Sequence, residues 1–231
     1  MSFKTILVAG ASRGIGLAAA EHFINQCDRL LAVSRTAAPV GEWVQADLSD
    51  LAGIKTVVTA IGNDSLDALL YMGGTWETHA FTPQYRFAAC SDEDIVRVIA
   101  VNLVAPIRLV KALLPALQRS DTPRIIFMGA LSGRDNFPGR EVANSASKFG
   151  LRGVVHSLRE ELRSQRIGVT VINPGNIGTP EVLADLAAEN LTDDEAIPLS
   201  DLLRILDCVL ALSRSTCIKE IDVPAMRGKG A

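Results

Sequence analysis

Residues 4–24, KTILVAGASRGIGLAAAEHFI, decide how the rest of the chain is read, because three kinds of local structure follow one another there without a gap. Lys4 to Ala9 is a short apolar run of the kind that makes a buried strand. Gly10, Gly14 and Gly16 punctuate a turn, and from Leu17 the pattern is helical. In this order, backbone N–H groups and a helix N-terminus can meet a pyrophosphate, whose charge the helix dipole favours. A plain strand-to-helix turn also uses glycine, so the triplet takes its meaning from its placement. Gly10, Ser12, Arg13, Gly14, Ile15 and Gly16 are the candidate contacts to a dinucleotide.

Runs rich in Val, Ile and Leu recur at RLLAVSR, LDALLYMGG, RIIFMGA and GVTVINPG, and most are separated by segments of helical length. That alternation predicts parallel strands with crossover helices, and the continuous apolar character of the runs predicts a sheet buried on both faces. The expected class is α/β, a doubly wound parallel sheet. No repeat, low-complexity tract or linker divides the chain, so residues 1–231 are expected to form one domain. AENLTDDEAIP, from Ala188, is expected to be a surface loop or lid, and the C-terminal GKGA a frayed tail.

The second strand ends AVSRT, with Ser34 and Arg35 where a dinucleotide site usually has an acid for the ribose 2′-hydroxyl. Guanidinium groups from Arg35 and Arg13 suit a 2′-phosphate, which favours NADP(H) over NAD(H). The formal charge of -3 offers no electrostatic case for nucleic acid or an anionic membrane. No uncharged apolar run has the length of a membrane span, and the N-terminus enters a strand pattern with no cleavable signal. Cys27, Cys90, Cys208 and Cys217 have neither a CxxC nor a metal-ligand spacing, which predicts free thiols, no metal and a reducing cytoplasm.

Taken together and in order, GASRGIG, ADLSD, VNLVAP, SASK and NPGNIGT resemble the classical short-chain dehydrogenase/reductase family over essentially the whole chain. The resemblance implies a Rossmann fold and roles for matching residues. Asp47 and Leu48 fall where the family holds the adenine, and Asn102 where it kinks a helix and anchors a water. Lys148 falls where it binds the nicotinamide ribose. Pro174, Gly175, Ile177 and Thr179 fall where it cradles the nicotinamide amide and pyrophosphate.

The chain departs from the family in its chemistry. The general acid/base of the family is a tyrosine four residues before the lysine; here that residue is Asn144, which cannot titrate. The partner serine should end the fifth strand, where Gly129 and Ala130 stand, and Ser132, two residues on, is the candidate substitute. Tyr71 to Gly74 replaces the usual Asn-Asn-Ala-Gly, with Gly73 and Gly74 preserving the close approach to the cofactor. Ala9 replaces a threonine. The segment from Arg35 to Asp47 is too short for the usual helix, and Gly74 to Asn102 is enlarged.

The expected function is an NADP(H)-dependent oxidoreductase with an altered acid/base site, in which Asn102, Lys148, Asn144 and Ser132 are the candidate catalytic residues. Its substrate would be a small carbonyl, enone or imine. The alternative is a non-catalytic dinucleotide-binding homologue acting as a sensor or partner subunit. A positioned general acid contributes roughly 10² to 10⁴ in rate, so its loss weighs most on carbonyl reduction, whereas an alkene or iminium acceptor needs less help. Tyr85 and His79, in the enlarged loop, are candidate replacements, and Ser145 an outside one. His22 and His156 are expected to be surface or packing residues. A homodimer or homotetramer through the helices near 104–119 and 145–165 follows from the resemblance.

Overall fold

The computed structural model describes residues 3–135 and 139–227. The GKGA segment lies outside the described residues. Seven parallel strands form one sheet in the order β3-β2-β1-β4-β5-β6-β7. They are β1 (Phe3–Ala9), β2 (Cys27–Ser34), β3 (Glu42–Gln45), β4 (Ala68–Tyr71), β5 (Arg124–Met128), β6 (Gly168–Pro174) and β7 (Glu220–Val223). The helices are α1 (Gly14–Phe23), α2 (Leu51–Ile61), α3 (Asp92–Ile99), α4 (Ala105–Gln118), α5 (Val142–Leu162), α6 (Pro180–Ala188) and α7 (Leu199–Ala211). The expected doubly wound α/β class is the one observed. Short, half-exposed β3 and β7 have no run of Val, Ile and Leu to announce them.

Alternate strand residues feed two cores, which explains the unbroken apolar runs. Leu7, Leu31, Leu69, Ile125 and Val169 pack under α2, α4 and α5 against residues such as Val57, Leu113 and Val155. Ile6, Val8, Leu70, Ile126 and Ile172 face Phe23 of α1 and Leu202 and Leu206 of α7. Each fully buried side chain of this size contributes about 1.5–3 kcal/mol relative to exposure.

The chain leaves β1 outward to β2 and β3, then returns to β4 on β1's other side, so a crevice opens beyond the carboxyl ends of β1 and β4. As expected from its length, residues 35–41 form no helix. Gly41, at φ +84°, lies on Leu30, where a Cβ would come within 2.5 Å of Leu30 Cδ2. The AENLTDDEAIP segment runs between α6 and α7, largely exposed through Glu195.

Between α3 and α4 the helix does not break but widens into a π-turn, Ala100–Val104. Pro106 lacks an N–H, and Ala105 N–H bonds Ala100 O. The continuous helix Asp92–Gln118 is long and apolar enough to cross a membrane by length and composition, with mean hydropathy 1.7 over its best window. Its Leu109, Val110, Leu113 and Leu117 are buried in the sheet core.

Candidate dinucleotide and substrate site

The glycine turn opens at the crevice because two backbones meet there. Gly10 has φ +89°, and a Cβ on it would lie 2.6 Å from Gly73 Cα, just past β4. Gly16 is equally constrained, since a Cβ on it would overlap Gly10 O. Gly14, at φ +55°, faces open space, with Thr179 Cγ2 the nearest atom, 3.9 Å from where its Cβ would stand. Thr179 N-caps α6 by accepting from Val182 N–H at 3.4 Å. Ser12 is half-buried and Ile15 packs on the core, while Arg13 is exposed.

Ser34, Arg35, Asp47 and Leu48 lie together at the ends of β2 and β3, where Ala46 N–H bonds Ser34 O at 3.1 Å. Ser34 Oγ donates a hydrogen bond to Thr36 O at 2.7 Å. Asp47 Oδ1 accepts from Ser49 Oγ at 2.6 Å and Ser49 N–H at 2.9 Å. The Ser49 hydroxyl bond and, more weakly, the Arg35 charge outweigh burial and hold this carboxyl below its usual value. Arg13 and Arg35 are exposed and make no ion pair among the described residues.

Asn102 sits inside the π-turn, 2% exposed, and clamps Thr75 by both backbone groups. Its Oδ1 accepts from Thr75 N–H at 2.8 Å and its Nδ2 donates to Thr75 O at 2.7 Å and to Ser147 Oγ at 3.1 Å. Ser147 Oγ in turn donates to Asn144 O at 2.7 Å. The π-turn leaves Val101 O without Ala105 N–H, and Tyr71 Oη donates to it at 2.7 Å. Burial pushes the Tyr71 phenol well above its usual value, helped by the Asp47 charge, so this tyrosine is a strut and no acid.

Lys148 Nζ donates to Met128 O at 2.9 Å and stands 3.8 Å from the Cβ position of Gly74. Among the described residues no carboxylate meets it, and burial lowers its pKa to about 8. The turn Leu131–Gly133 packs directly on α5, where a Cβ on Gly133 would come within 2.8 Å of Lys148 C. That contact brings Ser132 Oγ to 3.5 Å from Asn144 Nδ2, a long and weak bond. Pro174 ends β6, Gly175 N–H bonds Val223 O at 2.9 Å, and Ile177 is buried beside Ile197.

Among the described residues, no side chain of the candidate replacements for the missing tyrosine hydrogen-bonds to Ser132, Asn144 or Lys148. His79 is exposed at φ 60°, and Tyr85, 2% exposed, caps α5 by accepting Val142 N–H at 3.2 Å. Tyr85's phenol is raised by burial, and its engagement with the helix end is structural. Ser145 Oγ is buried with no partner among the described residues. His22 pairs with Asp207 at 2.9 Å, and His156 is exposed, 3.8 Å from Glu220.

Two groups were missed by sequence reasoning. Glu77, in the enlarged loop, is 2% exposed and caps the first turn of α5. Behind the site, Arg152 Nη1 donates to Gly133 O at 2.9 Å and its Nε to Glu220 Oε1 at 2.6 Å, while Arg134 pairs with Glu220 and Asp222. Asn173 Nδ2 joins the same carboxylates at 2.7 and 2.9 Å. Nothing local pointed to Glu77, Glu220 or Asp222.

Residues 4–190 match the family model described as short chain dehydrogenase. The chain is 28% identical over 186 residues to the short-chain dehydrogenase/reductase olcF of Penicillium canescens, covering 76% of this chain and 70% of that protein. It is also 28% identical over 180 residues to the 3-oxoacyl-[acyl-carrier-protein] reductase MabA of Mycobacterium tuberculosis, with 76% and 70% covered. The solved Pseudomonas aeruginosa RhlG/NADP active-site complex superposes with a TM-score of 0.83 over 98% of this chain and 96% of that one, at 21% identity, a likeness of fold.

Proposed function

This chain belongs to the short-chain dehydrogenase family, and on that premise we propose that residues 1–231 form one NADP(H)-dependent oxidoreductase domain with a modified acid/base site. The observation that carries the reading is Lys148. Its ammonium donates, among the described residues, only to the Met128 carbonyl, and it stands with Asn102 Oδ1 at Gly74, whose Cβ position is 3.8 Å from the one and 3.7 Å from the other.

The cradle fits a dinucleotide. Gly10 and Gly73 leave no room for a Cβ between β1 and β4, and Gly14 leaves the outer face of the turn open beside Thr179. Gly10, Ser12, Arg13, Gly14, Ile15 and Gly16 would hold the pyrophosphate, with Thr179, Pro174, Gly175 and Ile177 on its far side. Asp47 and Leu48 would hold the adenine. Ser34, Arg35 and Arg13 would meet a 2′-phosphate, and the two exposed guanidiniums, without ion-pair partners among the described residues, favour NADP(H) over NAD(H). Gly73, Gly74 and Lys148 would adjoin the nicotinamide ribose. When bound, the cofactor supplies hydride; the chain's part is to bind, orient and polarise the acceptor.

Asn144 Nδ2 and Ser132 Oγ are donors for the substrate oxygen or nitrogen, and neither is an acid. The substrate class is a small carbonyl, enone or imine. Four unpaired cysteines suit a reducing cytoplasm. Exposed Ile107, Val142 and Phe149, on α4 and α5, suit a homodimer or homotetramer through those helices.

The test is titration with NADPH and NADH, followed by quenching of Trp43 and Trp76, then a reductase screen. NADPH should bind at least tenfold tighter than NADH, Arg35→Ala should erase the preference, and Lys148→Ala should abolish hydride transfer. Failure to bind either nucleotide overturns the reading. Tight NADPH binding with no turnover across carbonyls, enones and imines would instead leave a non-catalytic sensor or partner subunit.

A further inference from the structure

Three residues beyond Gly74, a carboxyl group is buried against the first turn of α5. Glu77 Oε1 accepts from Ala143 N–H at 2.7 Å and Asn144 N–H at 3.3 Å, whereas Oε2 is buried with no partner among the described residues. Glu141, on the same turn, has both oxygens engaged, by Phe81 N–H at 2.9 Å and Arg140 N–H at 3.1 Å. The segment before Glu77 is fixed. Asn102 clamps Thr75, and Arg97 donates to Trp76 O at 3.0 Å and to Thr75 Oγ1. Glu77 is thus built into the same hydrogen-bonded assembly as Asn144, Ser147 and Asn102.

A buried polar atom with no partner costs about 1–3 kcal/mol, more if charged, and such atoms persist where a ligand completes them. Reduction of a ketone needs a proton delivered to oxygen, which Asn144 cannot give. A protonated imine brings its own proton and a positive charge.

We propose, resting on the oxidoreductase reading above, that an iminium substrate binds beside Asn144 and that its N–H takes up the unpartnered Glu77 Oε2. The step balances without any proton from the chain. Hydride from the reduced dinucleotide adds to the iminium carbon, the C=N π pair becomes the nitrogen lone pair, and the existing N–H bond is kept in the amine that leaves. Glu77 is then a substrate-binding residue, and the absence of a titrating side chain at position 144 costs the reaction little. A desolvated carboxylate pairs with such a cation more strongly than it would in water.

Trp76 is the adjacent reporter. With NADP+ present, the protein is titrated with piperidinium and with cyclohexanone, and turnover of the cyclic imine 2,3,4,5-tetrahydropyridine is compared with that of the ketone under NADPH. Piperidinium should bind at least tenfold tighter than cyclohexanone. Glu77→Gln, which keeps an acceptor for the two amides, should lose that preference while its NADPH affinity stays within twofold, and Glu77→Asp should retain part of it. A preference unchanged in Glu77→Gln, or ketone reduced faster than imine in both proteins, overturns the inference and leaves the oxidoreductase reading standing. A Glu77-dependent cation preference with no turnover supports the binding site and sinks the oxidoreductase reading instead.

Discussion

The side-chain oxygen of Asn173 lies in the space that a Cβ on Gly129 would occupy. Gly129 follows β5 and Asn173 is near the end of β6, so the glycine that interrupts the family's serine position makes room for a buried amide. That amide holds Glu220 and Asp222, whose arginine partners reach the turn carrying Ser132.

Gly129→Ala should therefore destabilise the fold by about 1–3 kcal/mol, the usual cost of forcing volume into a packed site. The new Cβ would also stand 2.9 Å from Val171 Cγ2. Urea denaturation should place the variant's midpoint well below that of the parent, and adding Asn173→Ala should recover part of the loss. Equal midpoints for parent and Gly129→Ala would refute the steric account.

Gly10 and Gly153 should respond in opposite directions. Gly10→Ala meets both a positive φ and the Gly73 backbone, so NADPH binding should vanish together with at least ~1 kcal/mol of stability. Gly153 is exposed within α5, with nothing within 4 Å of its Cβ position, and Gly153→Ala should stabilise by about 0.5–1 kcal/mol. Thermal melts of both variants decide the matter.

Lys148 should make the protein more stable as pH rises. Its folded pKa of about 8 lies below the ordinary 10.5, so between those values the unfolded chain binds more protons and unfolding is disfavoured by raising pH. The penalty is fully present below pH 8 and is lost as pH rises toward 10.5. Lys148→Met should gain on the order of 1–3 kcal/mol at pH 7, less the lost bond to Met128 O, with the gain fading by pH 10. A gain independent of pH would contradict this cause.

Glu220 should do the reverse at low pH. Burial alone would raise its pKa, but hydrogen bonds from Arg152 and Asn173 and the charges of Arg152 and Arg134 outweigh that and hold it below 4.5. The stability it contributes is present above pH 4.5 and is lost as pH falls through its folded value. Glu220→Gln, which leaves Arg152 without a carboxylate and Arg134 with Asp222 alone, should cost about 1–3 kcal/mol at pH 7 and flatten the acid limb of the stability curve. An unchanged acid limb would show that the cluster is not coupled to folding.

The local pattern of the chain was enough for the β1-turn-α1 unit, the five apolar strands, the short β2–β3 connection and the forced turn at Gly10, whereas Asn102 and Lys148 stood out only through the family resemblance of their motifs. The former are properties of neighbouring residues: strand and helix periods, glycine at forced turns, and a motif order that the doubly wound topology repeats. Glu77 reaching the α5 amides, Asn173 displacing a Cβ at Gly129, and Tyr71 taking up Val101 O were decided only by the tertiary structure. Each joins atoms 30 to 67 residues apart, or depends on which strand lies beside which. Hydrophobic periodicity says which face of an element is buried, but partners for a lone buried polar group are chosen by the three-dimensional packing that encloses it.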